Sequence, residues 1–175
     1  IVVGVSGGAD SVCLLLMLCD YVKKHKMDIC IHAVHVNHMI RQEAADDENF
    51  TRKLCESVGV DCYAAHIDCI GIAREKGLTV EEAGRLERYR IFDEIAKKYK
   101  DDGGVMIAVA HHMNDQAETV LMNMARGTSL KGVRGIVPVR DNICRPLLCI
   151  TRGQIESVLS AKDQPYVTDL SLIHI

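Results

Sequence analysis

Short apolar, β-branched stretches alternate with longer amphipathic ones along this chain, and that alternation limits its fold more than any other feature. Residues 1–5, 29–36, 62–67, 105–110 and 145–150 read as strands, being brief, apolar and bounded by glycine or polar clusters. Between and after them, residues 11–24, 43–58, 80–99, 115–126 and 151–162 read as helices. Val12, Leu15, Leu16 and Cys19 mark one apolar face of the first. Strands separated by helices lie parallel and are joined by crossovers. Parallel strands are buried on both sides, which fits their unbroken apolar character. The expectation is α/β: an open, mostly parallel five-stranded sheet with helices on both faces, Rossmann-like. Ligands of such sheets bind beyond the carboxyl ends of the strands, where this chain's polar clusters fall.

Composition narrows the class. The chain has 175 residues, 48% apolar and 26% charged, which suits one globular domain. The longest apolar run, residues 12–19, is far too short to span a membrane. No export signal is visible, and the chain opens on Ile1 rather than Met, so it reads as a cytoplasmic fragment cut just before its first strand. Eight cysteines stand at 13, 19, 30, 55, 62, 69, 144 and 149, and no two have the CxxC spacing of zinc ribbons or redox motifs. Most sit in apolar runs and read as reduced, buried thiols. A net charge of −3, 4% aromatics and no Trp argue against a base-stacking nucleic-acid sheet. The charge is nevertheless uneven: residues 126–152 carry +5 and residues 43–48 carry −4, so a local phosphate-binding surface fits within an acidic domain.

Three polar clusters carry the chemistry. The first, Ser6, Gly7, Gly8, Ala9, Asp10 and Ser11, joins strand to helix. Glycines allow close backbone approach, and a helix start offers unpaired N–H groups and partial positive charge, together an anion cradle. A tight turn capped by Asp10 or Ser11 is the plainer reading. Neither GxxxxGK[ST] nor GxGxxG is present. Gly4 to Gly8 does satisfy GxSxG, the nucleophile elbow of α/β-hydrolases, but no oxyanion segment accompanies it.

The second cluster, His35 to Arg41, leaves the second strand; the third, His111 to Thr119, leaves the fourth. Asp115 and Glu118 share one helical face and suit Mg²⁺ or the positioning and deprotonation of an amine. Asp115 as a simple helix cap is the alternative. A zinc site from His35/His38 or His111/His112 lacks a cysteine partner nearby. Arg85, Glu87 and Arg88 read, by themselves, as a solvated helix face.

Residues 6–11 resemble the SGGxDS loop of the PP-loop, or N-type, ATP pyrophosphatases (the adenine nucleotide alpha hydrolase-like fold). HVNHxxR at 35–41 and HHMNDQAET at 111–119 resemble segments of one subgroup, the tRNA(Ile)-lysidine synthetases. So do residues 78–89 with Arg85, Arg88 and Tyr89, residues 126–135, and Arg145 to Leu148. These five motifs and the SGGxDS loop lie in order and cover about residues 1–169. The resemblance implies ATP-dependent adenylation of the wobble cytidine in isoleucine tRNA with a CAU anticodon. The amine of free L-lysine then displaces AMP to give lysidine. It implies that Ser6, Gly7, Gly8, Ala9, Asp10, Ser11, His35, Asn37 and His112 bind ATP, with Asp10 on Mg²⁺. Asp10, Asp115, Glu118, Arg85 and Arg88 would act in catalysis, and Arg126, Lys131, Arg134 and Arg145 would meet tRNA. A homodimer and C-terminal tRNA-binding domains beyond these residues are also implied.

Two departures stand out: Asn114 where the family often has Asp, and Gly84 where it usually has Ala. Residues 170–175 are apolar where the family continues with small polar residues, and are expected to be a truncated or non-native tail without function. A PP-loop tRNA thiolase, an NAD-synthetase-like amide-forming enzyme and an ATP-binding module without catalysis are the competing readings.

Overall fold

The computed structural model describes residues 1–39, 44–99, 104–127 and 134–168. The strands are β1 (Val2–Gly4), β2 (His32–Asn37), β3 (Asp61–His66), β4 (Ile107–Ala108), β5 (Val139–Arg140) and β6 (Ile143–Cys144). The α-helices are α1 (Ala9–Lys24), α2 (Ala44–Ser57), α3 (Cys69–Lys76), α4 (Val80–Lys98), α5 (Met113–Ala125) and α6 (Arg152–Ala161). The sheet runs β3-β2-β1-β4-β6-β5, parallel throughout except for the antiparallel edge strand β5.

Alternate residues of each central strand feed two cores. Val3, Ala33 and Ala108 pack with α1, α2 and α6 through Leu14, Leu15, Leu54, Ile155 and Leu159. Val2, Val34 and Ile107 pack on the other side with α4 through Ile91, Phe92 and Ile95. Helices on both faces are thus observed, as the unbroken apolar strands required. Among the described residues no helix is long and apolar enough to cross a membrane, and all eight cysteines are free thiols.

The sheet has six strands rather than five, and residues 145–150 are not one of them. Pro146 to Cys149 form a 3₁₀ turn, because proline has no N–H to give a sheet ladder and fits the first turn of a helix. The strand beside β4 ends at Cys144, and a two-residue turn through Asp141, in left-handed backbone (φ 53), returns from β5. Helix α3 was also not foreseen. Its signals are local: Asp68 accepts from the Gly71 N–H at 2.9 Å, and Gly77 (φ 63) stops the helix.

Gly4 ends β1 with Phe92 against its backbone. A Cβ there would lie 2.5 Å from the ring's Cζ. Gly4→Ala is therefore expected to displace Phe92 and cost at least about 1 kcal/mol, read as a lower urea midpoint at unchanged slope.

Candidate active site

Strand order places a switch point between β1 and β4: the connection from β1 leads to β2 on one side, while β4 lies on the other. Crevices for ligands open there, beyond the carboxyl ends of the strands. A cleft of about 610 Å³ occupies this position, and Ser6, Asp10, His35, Arg88, His111 and Asp115 are among the side chains that line it. The structure thus gathers the three polar clusters and α4 into one site.

The loop after β1 is internally braced. The Ser11 hydroxyl donates to Gly8 O at 2.9 Å, so its only proton is committed. In the 3.1 Å contact between the two serine hydroxyls, Ser6 is then the donor; the Ser6 N–H also donates to Ser11 Oγ, at 3.1 Å. Gly7 adopts φ 91, which residues with a side chain rarely take, and its carbonyl accepts from the Val167 N–H at 2.9 Å. Gly8, not Asp10 or Ser11, is the N-cap of α1, and no side chain caps that end. The helix starts two residues earlier than its apolar spacing indicates, with Ala9 fully buried. Asp10 is released from capping and points across the site.

Asp10 is approached from two other segments. Arg152 Nη1 donates to Oδ2 at 2.6 Å, and His112 Nε2 lies 3.6 Å from Oδ1. Burial pushes the Asp10 carboxyl above the ordinary carboxylate range; Arg152 and then His112 oppose this, and Asp115 adds to it. Oδ1 is buried without a hydrogen-bond partner among the described residues.

His112 and Asp115 form a capping box at α5. The Asp115 N–H donates to His112 Nδ1 at 3.3 Å, and Asp115 Oδ2 accepts from the His112 N–H at 2.8 Å. Neutral His112 therefore carries its proton on Nε2, facing Asp10. The capping role of Asp115 uses one of its two oxygens, and the residue lines the cleft. Glu118 is exposed on the same helix and does not line the cleft. Asn114 Oδ1 accepts from the Arg152 N–H at 3.1 Å, tying α5 to α6. Any acceptor at position 114 serves that bond.

Two residues leaving β2 are largely engaged with the protein. The His35 Nδ1–H donates to Val5 O at 2.9 Å and pins the start of the loop, and burial pushes its pKa down. Asn37 donates to Ala44 O at 3.2 Å and accepts from the Met39 N–H at 2.9 Å, so it shapes the turn it lines the cleft from. Burial pushes the His111 pKa down; Asp115 opposes this, and Arg145, Arg85 and Arg88 add to it. Of these three arginines Arg88 lines the cleft, and Arg85 is exposed on the same helix. Arg145 itself is buried, with Nη1 donating to Val137 O at 2.9 Å. Arg126 and Arg134 are exposed, and Lys131 lies outside the described residues.

Arg152 is the site residue that sequence reasoning missed. In the sequence it is one charge of a basic stretch, and it reaches Asp10 across 142 positions. Local spacing carries no trace of so distant a pair.

The model of the PP-loop domain matches residues 1–172. The chain belongs to the PP-loop family. Among curated relatives, a tRNA(Ile)-lysidine synthase of Clostridium acetobutylicum is 48% identical over 158 residues, 89% of this chain and 33% of that protein. One of Caldanaerobacter subterraneus is 45% identical over 93% of this chain and 34% of its own length. One of Thermosipho africanus is 39% identical over 97% and 38%. This PP-loop chain spans about a third of the length of the curated relatives it matches. Its fold resembles a U34-tRNA thiolase from Methanococcus maripaludis (TM-score 0.70, 20% identity, 95% of this chain and 58% of that one). It also resembles an NH3-dependent NAD synthetase from Campylobacter jejuni (TM-score 0.56, 16% identity, 93% and 63%).

Proposed function

We propose that residues 1–169 form the ATP-binding catalytic domain of a tRNA(Ile)-lysidine synthase, acting in the cytoplasm on isoleucine tRNA with a CAU anticodon. One observation carries this reading. Asp10, Arg88 and Asp115 converge from three segments on one cleft, in a chain 48% identical over 158 residues to a protein of that name.

In this reading ATP lies along the cleft, with its phosphates over the braced loop at residues 6–11 and the uncapped start of α1. The cytidine O2 attacks the α-phosphorus; the new O–P bond forms as the bond to the β-phosphate oxygen breaks, and pyrophosphate leaves. Arg88 and Arg85 stabilise the charge that builds on the phosphoryl oxygens. The lysine amine then attacks C2 of the adenylated base. The C–N bond forms, the C–O bond breaks, AMP departs, and Asp115 takes the amine's proton. Exposed Arg126 and Arg134, with Lys131, contribute charge for tRNA phosphates, while Arg145 is buried and bonded to Val137 O.

Mg²⁺ fits the donor set. Asp10 offers a buried, unpartnered Oδ1, Asp115 stands near it, and this cation favours one or two carboxylates together with phosphate oxygens. Bound there, it would neutralise phosphate charge. The thiolase reading is less favoured, because none of the residues lining the cleft is a cysteine and no metal-holding group of three His, Cys, Asp or Glu occurs among the described residues.

The deciding assay gives the intact protein ATP, Mg²⁺, labelled lysine and isoleucine tRNA bearing CAU. Label in the tRNA with matching AMP release is expected. Incorporation of sulfur instead, or AMP formation that ignores tRNA, would overturn the proposal.

A further inference from the structure

His38 lies one residue beyond β2, at the rim of the cleft, and is held from two sides. Its Nε2 is 3.2 Å from Arg88 Nη2, and its Nδ1 is 3.1 Å from Cys69 Sγ. A guanidinium can only donate, so Nε2 must present its lone pair. The single proton of the neutral ring is then on Nδ1 and is donated to the sulfur. The ring is thereby fixed in one tautomer and one orientation, between the first residue of α3 and the middle of α4.

The surroundings favour this state. Cys69 is 1% exposed, so its sulfur is a fixed acceptor. Gly84, one turn before Arg88 on α4, leaves the ring room: a Cβ there would meet His38 Cε1, His38 Nδ1 and Cys69 Sγ each at 3.4 Å. Those are ordinary contacts, so the family's alanine also fits beside the imidazole. The charged and titratable groups facing His38 are Arg88 from α4, Cys69 from α3 and His35 from β2. Among the described residues none of these supplies a carboxylate to favour the imidazolium. Burial, Arg88 and His35 push the His38 pKa below its ordinary value.

We propose that His38 is a positioning residue for Arg88: a neutral imidazole, locked as the Nδ1–H tautomer by Cys69, that aims the guanidinium into the cleft for the phosphates of a nucleotide. This rests on the reading of the cleft as an ATP site. A freely rotating arginine would have to be ordered on each binding event, and the bond to Nε2 does that in advance. Protonation of Nε2 converts the acceptor into a donor and sets two cations face to face. The aim of Arg88 is then lost at acid pH.

The test measures ATP binding to the intact protein by calorimetry from pH 5 to 8, with unfolding followed by circular dichroism. Gln at 38 puts an acceptor where Nε2 stands and cannot take up a proton, whereas Asn reaches only the Nδ1 position. His38→Gln is expected to keep wild-type affinity at pH 7 and to lose the wild type's acid-side weakening. His38→Asn and His38→Ala are expected to bind about tenfold more weakly at pH 7, the loss of one charge-assisted hydrogen bond. In an Arg88→Ala background the His38→Ala change is expected to add nothing. Equal weakening in all three His38 variants, or full additivity with Arg88→Ala, would overturn the assignment. Wild-type protein that binds no ATP at any pH would instead sink the ATP reading on which it rests.

Discussion

Replacing Asp10 with asparagine is expected to lower AMP formation by about 10³-fold while leaving the melting temperature at pH 7 unchanged or higher. The two effects come from one cause. Asp10 is the acid of the braced loop, with its side chain 25% exposed and Oδ1 buried without a hydrogen-bond partner among the described residues. That oxygen is available to a cation or phosphate-bound ligand, and the amide cannot replace its charge. Burial raises the carboxyl's pKa in the folded state above that of the unfolded chain. The folded protein therefore binds this proton more tightly, and stability falls as pH rises from the ordinary carboxylate value through the raised one. At pH 7 the ionised form is a cost that asparagine removes, and Arg152 keeps its bond to Glu156 at 2.8 Å. Thermal melts at pH 7 and pH 4 should show any gain at pH 7 vanish at pH 4, with AMP release followed chromatographically. A fall of several degrees at pH 7 would make Asp10 a structural residue, and retained AMP release would remove it from the chemistry.

The sequence made the sheet legible where burial is two-sided. Val2, Val3, Ile107 and Ala108 are apolar on both faces because both faces are covered, and runs of this kind have few alternatives. It failed where one residue type overrides the apolar pattern. Leu147, Leu148 and Cys149 look like strand, but Pro146 turns their backbone into 3₁₀. The short helix at Cys69–Lys76 was hidden because eight residues give little periodicity, although Asp68 and Gly77 mark its ends. The candidate site was legible where its parts are strand-end clusters, since topology brings those ends together. Roles within it were less so. Asp115 reads as acid or cap from its spacing, and it is a cap with one oxygen to spare. Arg145 reads as surface charge and is buried. His38 and Arg152 act through partners 50 and 142 positions away, and no local pattern encodes such pairs.

Arg152→Ala is expected to destabilise the protein by about 1–2 kcal/mol at pH 7, and by markedly less at pH 4. For a domain of this size that is a drop of roughly 3–6 °C at neutral pH. Arg152 is the first opposing influence on the raised pKa of Asp10, at 2.6 Å, and no other arginine or lysine reaches that carboxylate among the described residues. His112 stands at 3.6 Å and Asp115 adds a second negative charge to the same small volume. Without the guanidinium the ionised Asp10 is left half-buried beside Asp115, and the carboxyl takes up its proton at a higher pH than in the wild type. Acidification therefore relieves the mutant before it affects the wild type, and the difference between them closes as pH falls. The side chains of the pair are 25% and 40% exposed, so solvent screens it and the loss stays below that of a fully buried pair. Arg152→Glu, which adds a third carboxylate, is expected to cost about twice as much at pH 7. In an Asp10→Asn background the Arg152→Ala penalty should nearly vanish, because there is no charge left to compensate. A penalty that persists there, or that is the same at pH 4 and pH 7, would mean that Arg152 acts through Glu156 and the Asn114 contact at the start of α6. In that case the Asp10 carboxylate is held ionised by something other than this arginine.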